Sequence, residues 1–163
     1  MTKKVLSALC VFFILSFLCG CDSPNSKTVV TEFSADFTAN YRDMELKGKI
    51  TADRRGILSI ELDSPETLSG VAVTYKNGET ELKRDDLVCT ADEAYLPNSS
   101  FPALLKSAFK TLGNNDKKPK NGTLVIEDDG KTYEFSIDEN GYIKKLTADG
   151  KLEMEFDNIK KLG

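Results

Sequence analysis

Hydrophobic and polar residues alternate along much of the chain from Val29 onward. In the first run the apolar positions are Phe33, Ala35, Phe37, Ala39 and Tyr41. Later runs repeat the pattern, with apolar positions at Leu46, Ile50, Leu58, Ile60, Leu62, Val71, Val73 and Tyr75. A period of two residues places successive side chains on opposite faces of a strand. The pattern therefore predicts antiparallel strands with one buried and one solvated face.

Turn sequences separate these runs. Asn-Gly and Asp-Gly pairs recur, and both tolerate the positive φ angles of tight hairpin turns. The turn segments are Asp53–Gly56, Asn77-Gly78, Asn121-Gly122, Asp129-Gly130, Asn140-Gly141 and Asp149-Gly150. In the last third they predict a meander whose strands are Leu124–Ile126, Tyr133–Ile137, Ile143–Leu146 and Leu152–Phe156.

One segment departs from the two-residue period. Its apolar residues follow helical spacing at Phe101, Leu104, Leu105, Ala108, Phe109 and Leu112. A serine precedes it as a candidate N-cap, Pro102 falls in its first turn, and Gly113 follows as a stop signal. We therefore expect an amphipathic helix near residues 100–112.

The pattern as a whole predicts a mainly β fold. Residues 29–163 would form a single domain, a curled antiparallel sheet or half-barrel of about nine to eleven strands. A sheet that wide curls rather than staying flat. The apolar stripe of the helix is then expected to cover the concave face of the sheet.

The N-terminal segment has the order of a secretory signal. A basic start at Met1–Lys4 is followed by the apolar stretch Val5–Leu18, which is too short for a comfortable membrane span. The next residues, Leu18-Cys19-Gly20-Cys21, resemble the lipobox of bacterial lipoproteins. The resemblance implies cleavage before Cys21 and attachment of a diacylglycerol through a thioether, with further acylation by a fatty acid such as palmitate.

We therefore expect residues 1–20 to be a signal peptide and residues 21–28 to be a lipidated N-terminus with a flexible tether. Two acyl chains suffice for lasting attachment, at about 0.8 kcal/mol per buried methylene. The protein would be anchored to the cell membrane and face away from the cytoplasm, either on the extracellular side or in a periplasm. The alternatives are an ordinary signal peptide and an uncut N-terminal anchor.

Charge narrows the range of partners. The chain of 163 residues holds 22 Lys and Arg against 26 Asp and Glu, and two of the lysines lie in the expected signal peptide. The mature chain would therefore carry a formal charge of −6. Nucleic acid is not expected as a partner, because phosphate contacts need clustered basic residues. We expect a monomer.

Catalysis and metal binding have little support in the sequence. The chain contains no histidine, which removes the familiar His-dependent nucleophile arrangements and His-containing metal sites. Adjacent acids occur as Asp85-Asp86, Asp92-Glu93, Asp128-Asp129 and Asp138-Glu139, all in or beside predicted turns where carboxylates are usually solvated. Cys89, in an apolar run, is expected to be a buried hydrophobe. We therefore expect no enzyme activity, no cofactor and no metal.

The apolar interior is the more promising candidate for a binding site. The residues expected to line it are Phe33, Phe37, Tyr41, Ile60, Tyr75, Phe101, Leu105, Phe109, Tyr133, Phe135 and Phe156. They could form an ordinary core, since a domain of this size needs many buried aromatic residues. They could instead line a groove for an acyl chain or another apolar ligand, where one helix cannot cover a wide sheet.

The segment Phe33–Leu87 also carries a family resemblance. Gly56-Ile57-Leu58-Ser59-Ile60-Glu61-Leu62-Asp63-Ser64-Pro65-Glu66, followed by Gly70 and the hairpin Tyr75–Glu79, is similar to a strand, Ser-Pro turn and hairpin of the LolA/LolB lipoprotein-carrier superfamily. That family has curled half-barrels with helices over the concave side. The resemblance implies noncatalytic binding of acyl chains or of lipid-modified partners.

These observations favour a membrane-anchored, noncatalytic lipoprotein that binds a lipid or another apolar ligand in its concave sheet. The alternative is a structural or protein-interaction module of a cell-envelope complex, which would use its outer face or a sheet edge. Extractable lipid would favour the first function, and reproducible protein crosslinks without lipid would favour the second.

Overall fold

The computed structural model of the protein describes residues 28–53 and 56–162. Within these residues the strands, in chain order, are β1 Phe33–Tyr41, β2 Met44–Ala52, β3 Leu58–Ser64, β4 Ala72–Lys76, β5 Glu79–Arg84, β6 Leu87–Asp92, β7 Thr123–Asp128, β8 Lys131–Ile137, β9 Ile143–Ala148 and β10 Leu152–Lys161. Helix α1 spans Phe101–Gly113, and two short 3₁₀ turns lie at Glu66–Leu68 and Glu93–Tyr95. The expected signal peptide and the lipidation site Cys21 lie outside the described residues.

All ten strands of the described chain belong to one antiparallel sheet. Their spatial order is β6-β5-β4-β3-β2-β1-β10-β9-β8-β7. Strand β1 pairs with β10 near the centre, with Phe37 opposite Phe156, so that the first and last strands join the two parts into one sheet. The connection from β6 to β7, which contains α1, links the two edges of the open sheet. The predicted fold class, a curled antiparallel sheet of about nine to eleven strands with one helix, is confirmed.

The core forms where alternating strand residues meet the helix. Along β1 the side chains of Phe33, Ala35, Phe37 and Ala39 are buried and those between them are more exposed. Strand β10 buries Leu152, Met154 and Phe156 in the same alternation. The buried side of α1 completes this cluster. Two-residue alternation therefore placed one face of the sheet in the core, as the sequence predicts.

Helix α1 matches its predicted position, but its N-terminus is capped differently. The carbonyl oxygen of Ser100 accepts a hydrogen bond from the backbone N–H of Leu104 at 2.9 Å. The hydroxyl of Ser100 makes no cap hydrogen bond and is buried. The helix therefore begins without the side-chain cap that the sequence suggests, and its place is set by the packing of its apolar face.

Hairpin turns follow the sequence in most places. Both residues of Asn77-Gly78, Asp129-Gly130 and Asp149-Gly150 have positive φ, as tight turns between neighbouring strands require. Arg42 and Asp43 form the turn between β1 and β2 with φ of 48° and 66°. That turn has no glycine, so the composition signal does not reveal it.

Two of the predicted turns differ in detail. Asn121-Gly122 precedes β7 and is closed by a bridge between Lys120 and Thr123, so it does not join two neighbouring strands of the sheet. Asn140-Gly141 belongs to a longer turn, where the carboxylate of Asp138 accepts backbone hydrogen bonds from Asn140 at 2.8 Å and Tyr142 at 2.9 Å. Side-chain capping of the backbone thus replaces the two-residue turn at that point.

The prediction that Cys89 is buried is wrong. Its thiol is exposed, and its neighbours Leu87 and Val88 are 77% and 58% exposed. All three lie on β6, an edge strand of the sheet. Ten strands spaced about 4.8 Å apart span roughly 43 Å, whereas a helix of 13 residues is about 20 Å long and about 10 Å wide. The helix therefore leaves the β6 end of the sheet uncovered.

Candidate functional site

Helix α1 has one buried side and two polar flanks. Leu104, Leu105 and Ala108 face the sheet and are fully buried. Lys106 and Lys110 lie one turn apart on the polar side of the helix, where the i and i+4 positions are neighbours. The buried side of the helix is fixed against the core. Lys106 and Lys110 are therefore held on its exposed side, where two clefts lie along the helix.

The sequence-predicted lining residues are brought together, but in a packed core. Nine of them are at most 5% exposed: Phe33, Phe37, Ile60, Tyr75, Phe101, Leu105, Tyr133, Phe135 and Phe156. The other two, Tyr41 and Phe109, are partly buried at its margin. Their role as ligand contacts stays a prediction. The open space that the structure provides lies beside the helix.

Aromatic contacts fill the space beneath the helix. The ring of Phe109 lies 5.7 Å from that of Phe33 and 6.3 Å from those of Phe135 and Phe156, measured between ring centroids. These tilted and edge-on arrangements are the favoured geometries for aromatic pairs. Phe109 therefore closes the core on one side and offers its remaining surface to the neighbouring cleft.

The first cleft, which we call the apolar cleft, lies between the C-terminal half of α1 and the loop that joins β2 to β3. Its volume is about 460 Å³, within the range of small-molecule sites. Its apolar wall consists of Ala52, Ile57, Leu58 and Phe109. Polar residues complete its lining: Thr31, Glu32, Asp53, Lys106, Lys110 and Asn114.

The second cleft, which we call the polar cleft, adjoins the first along the exposed side of α1 and has a volume of about 310 Å³. It brings together Tyr75 from β4, the 3₁₀ turn at Glu93–Tyr95, and Asp129 and Lys131 from the β7–β8 hairpin. These elements come from opposite halves of the sheet, so the curl of the sheet creates the cleft. Lys106 and Lys110 line it as well.

Lys106 is held in place by two contacts. Its ammonium group forms an ion pair with the carboxylate of Glu93 and lies 5.4 Å from the centre of the Tyr75 ring, within the range of a cation–π contact. Partial burial, followed by the neighbouring positive charge of Lys110, lowers the pKa of Lys106 below its ordinary value. A negative charge near Lys106 would favour its charged form.

Two buried tyrosines have different hydrogen-bonding. The hydroxyl of Tyr133 donates a hydrogen bond to the Ser107 hydroxyl oxygen at 2.7 Å, and burial raises its pKa. Tyr75 is 2% exposed, and its hydroxyl has no hydrogen-bond partner among the described residues. Burial raises the pKa of Tyr75 to about 12, so the phenol is neutral at physiological pH. Tyr75 is therefore a buried polar group beside the polar cleft with unused hydrogen-bonding capacity.

Sequence reasoning missed Lys106 and Lys110 as site residues, and it included Tyr75 for its ring alone. The sequence signal for the lysines was their spacing of four residues on the polar side of a predicted helix. That spacing is also typical of an ordinary solvated helix face. Nothing local to Tyr75 indicates that Glu93, eighteen residues further on, lies near the same cleft.

The paired acids have structural roles where the structure gives them contacts. Asp128 accepts a hydrogen bond from the Thr111 hydroxyl at 2.7 Å, and Asp92 accepts one from the backbone N–H of Ala94 at 2.8 Å. Asp138 organises its turn as described above. Within residues 28–53 and 56–162, no group of three or more Cys, Asp or Glu side chains is arranged to hold a metal ion.

The fold and the clefts define a class of protein: an open, curled antiparallel sheet whose concave face is packed against one helix. A solved structure of an uncharacterized conserved protein from Thermus thermophilus has the same fold, with a TM-score of 0.50, 10% sequence identity, and coverage of 82% of this chain and 80% of that one. At this identity the likeness shows the fold alone.

Two further solved structures have lower similarity. A LolA superfamily protein from Nitrosomonas europaea aligns with a TM-score of 0.41 and 6% identity, covering 81% of this chain and 86% of that one. PNGF-II aligns with a TM-score of 0.39 and 8% identity, covering 80% of this chain and 28% of that one. These two likenesses are too low to carry an argument. No protein-family model matches the chain, and no curated protein matches it significantly.

In the part of the chain that the structure describes, α1 is too short and too polar to cross a membrane, and no other helix qualifies.

Proposed function

We propose that this chain is a noncatalytic lipoprotein of the cell envelope that binds a lipid or another apolar ligand beside helix α1. The observation that carries the proposal is the apolar cleft, where Ile57, Leu58 and Phe109 form an apolar wall next to a packed core. The ligand site is thus on the flank of the helix. The lipidated Cys21 expected from the sequence would keep the cleft close to a membrane.

The expected affinity follows from burial of the ligand. Each methylene removed from water contributes about 0.8 kcal/mol, so about ten buried methylenes contribute about 8 kcal/mol. Before the entropic cost of association, that corresponds to a Kd of about 1 μM. A cleft of about 460 Å³ suits a single chain or part of one better than a large rigid ligand.

The test is titration of the purified protein with a fluorescent fatty acid, together with mass spectrometry of organic extracts from natively purified protein. We expect saturable binding that weakens at least about tenfold in Ile57→Glu, because a charge in the apolar cleft is costly to desolvate. Val125→Glu is the matched control, since Val125 is 47% exposed on β7 and does not line the apolar cleft. Absence of both saturable binding and extractable lipid would overturn the proposal.

Membrane attachment has a separate test. We expect Cys21→Ala to leave an unprocessed precursor and to block incorporation of labelled palmitate in cells. Ser26→Ala, a substitution in the expected tether, is the control and should be processed and labelled normally. Labelling of the Cys21→Ala variant at the normal level would contradict the proposed anchor.

A second candidate function, a protein-interaction module of an envelope complex, is favoured by the uncovered end of the sheet. Leu87 and Val88 are exposed on edge strand β6, and Tyr95 after it is 82% exposed. An edge strand has unpaired backbone groups that can pair with another chain. A photocrosslinker on the exposed thiol of Cys89 tests this candidate in intact cells. A reproducible protein adduct without extractable lipid would select this function over ligand binding.

A further inference from the structure

The apolar and polar clefts share two residues. Lys106 and Lys110 line both clefts, so these two lysines lie where the apolar cleft meets the polar cleft. Ligands with a charged end and an apolar chain match such a junction, because each part finds a suitable environment. A ligand bound at this junction is therefore expected to have a charged end and an apolar chain.

The polar cleft is also lined by a buried hydrogen-bond donor, the hydroxyl-bearing residue Tyr75. Tyr75 is 2% exposed, lines this cleft, and its hydroxyl has no hydrogen-bond partner among the described residues. A buried hydroxyl without a partner is destabilising, so native proteins usually satisfy it. An oxygen atom of a bound ligand would accept the hydrogen bond. Tyr75 and the lysines are all donors, so together they suit an acceptor group.

The acids around the polar cleft pair with one helix lysine, Lys106, and leave Lys110 available. Glu93 pairs with Lys106, while Asp92 is exposed and accepts a hydrogen bond from the backbone of Ala94. Asp129 is exposed at the rim, near Lys131. Lys110 forms no ion pair with a described residue and repels Lys106 one turn away. An anionic group beside Lys110 and Lys106 would offset that repulsion.

We propose that the ligand is an anionic amphiphile, an acyl chain ending in a carboxylate or phosphate group. Its chain lies in the apolar cleft, and its head pairs with Lys106 and Lys110 and accepts a hydrogen bond from the Tyr75 hydroxyl. This inference rests on the proposed function, since it requires that the apolar cleft binds the chain. It adds that the protein selects its ligand by the negative charge of the head group.

Isothermal titration calorimetry of the purified protein tests the inference with three probes: decanoate, methyl decanoate and acetate. We expect decanoate to bind at least about tenfold more tightly than its methyl ester, and acetate not to bind measurably. Lys110→Met and Lys106→Met should each weaken decanoate binding more than ester binding, and so remove most of that preference. Tyr75→Phe should weaken decanoate binding severalfold and weaken ester binding less, because a carboxylate accepts a stronger hydrogen bond than an ester carbonyl.

Controls and outcomes separate the two proposals. Lys145→Met removes the same charge from the outer face, where Lys145 pairs with Glu153, and should not alter the preference. Lys106→Arg should retain it, and thermal melts verify that each variant is folded. Equal binding of acid and ester, in the wild-type protein and its variants, would overturn this inference and leave the proposed function standing. Tight binding of acetate would also overturn it, and failure of both decanoate and its ester to bind would overturn the proposed function itself.

Discussion

Gly48 gives the sharpest test of how the sheet is packed. It lies in β2 between Phe37 of β1 and Leu62 of β3, beside a bulge that shifts the β2–β3 register. An ideal Cβ at Gly48 would overlap the backbone carbonyl oxygen of Glu61 and lie 3.0 Å from its carbonyl carbon. Real Cβ atoms essentially never come closer than 3.0 Å to another heavy atom. Gly48→Ala therefore forces β2 and β3 apart at the centre of the sheet.

The magnitude follows from the hydrogen bonds that this movement breaks. The clash is with backbone, which cannot rotate away as a side chain could, so two or three ladder bonds near Glu61 and Leu62 are lost or lengthened. Each contributes about 0.5–1.5 kcal/mol net, which gives about 1–4.5 kcal/mol with a middle value of about 2.5 kcal/mol. The entropy that alanine removes from the unfolded chain offsets about 0.4–1 kcal/mol of this. The free energy of unfolding should therefore fall by roughly 2 kcal/mol, a substantial part of the 5–15 kcal/mol of a typical domain.

The assay is urea and thermal unfolding followed by circular dichroism. We expect the Tm of Gly48→Ala to fall by roughly 10 °C, since 1 kcal/mol corresponds to a few degrees in a domain of this size. Gly113→Ala is the matched control. It makes the same chemical change at the end of α1, where a Cβ would meet nothing within 4 Å, and should be neutral or stabilising by up to about 1 kcal/mol. A Tm for Gly48→Ala within about 2 °C of the wild-type value would refute the reasoning.

Further predictions concern the core, the polar cleft and the edge strand. Leu104→Ala should cost about 2–5 kcal/mol in urea unfolding, because Leu104 is fully buried between helix and sheet; a loss under 1 kcal/mol would contradict that packing. The raised pKa of Tyr75, about 12 against 10.0, favours the neutral phenol in the folded state. The stabilisation that the folded state gains from this pKa difference is therefore complete below about pH 10 and is lost between about pH 10 and pH 12. Over that interval the wild-type protein should lose about 2 kcal/mol more than Tyr75→Phe, and parallel curves would count against the burial of the hydroxyl. Cys89 should react with a maleimide in the native state as fast as in urea, whereas protection in the native state would show that β6 is covered.

Much of the fold could be predicted from local pattern. Alternation at Phe33, Ala35, Phe37 and Ala39 identified the buried face of β1, because successive side chains of a strand point to opposite faces of the sheet. The helix near residues 100–112 was equally clear, because its 3.6-residue period stands out against the strands. The number of strands and the class of sheet followed from these runs and from the turns between them.

The candidate site was predictable only in part, because it depends on contacts between distant segments. Tyr75, Glu93 and Lys106 come from a strand, a 3₁₀ turn and a helix, and they meet because the sheet curls around α1. The aromatic residues that suggested a groove pack against one another, as Phe109 does against Phe33. Whether apolar side chains leave a space depends on the distance between the helix and the sheet. The spacing of apolar residues along the sequence does not predict that distance.

The sequence by itself determined the strands, the helix near residues 100–112, the absence of histidine, and a lipobox-like segment ending at Cys21. Tertiary structure alone decided which parts of those elements are covered. The apolar run Leu87-Val88-Cys89 resembles a buried strand, yet it lies on edge strand β6 and is exposed. The physical reason is that side-chain direction is local, whereas burial requires a partner surface that comes from elsewhere in the chain.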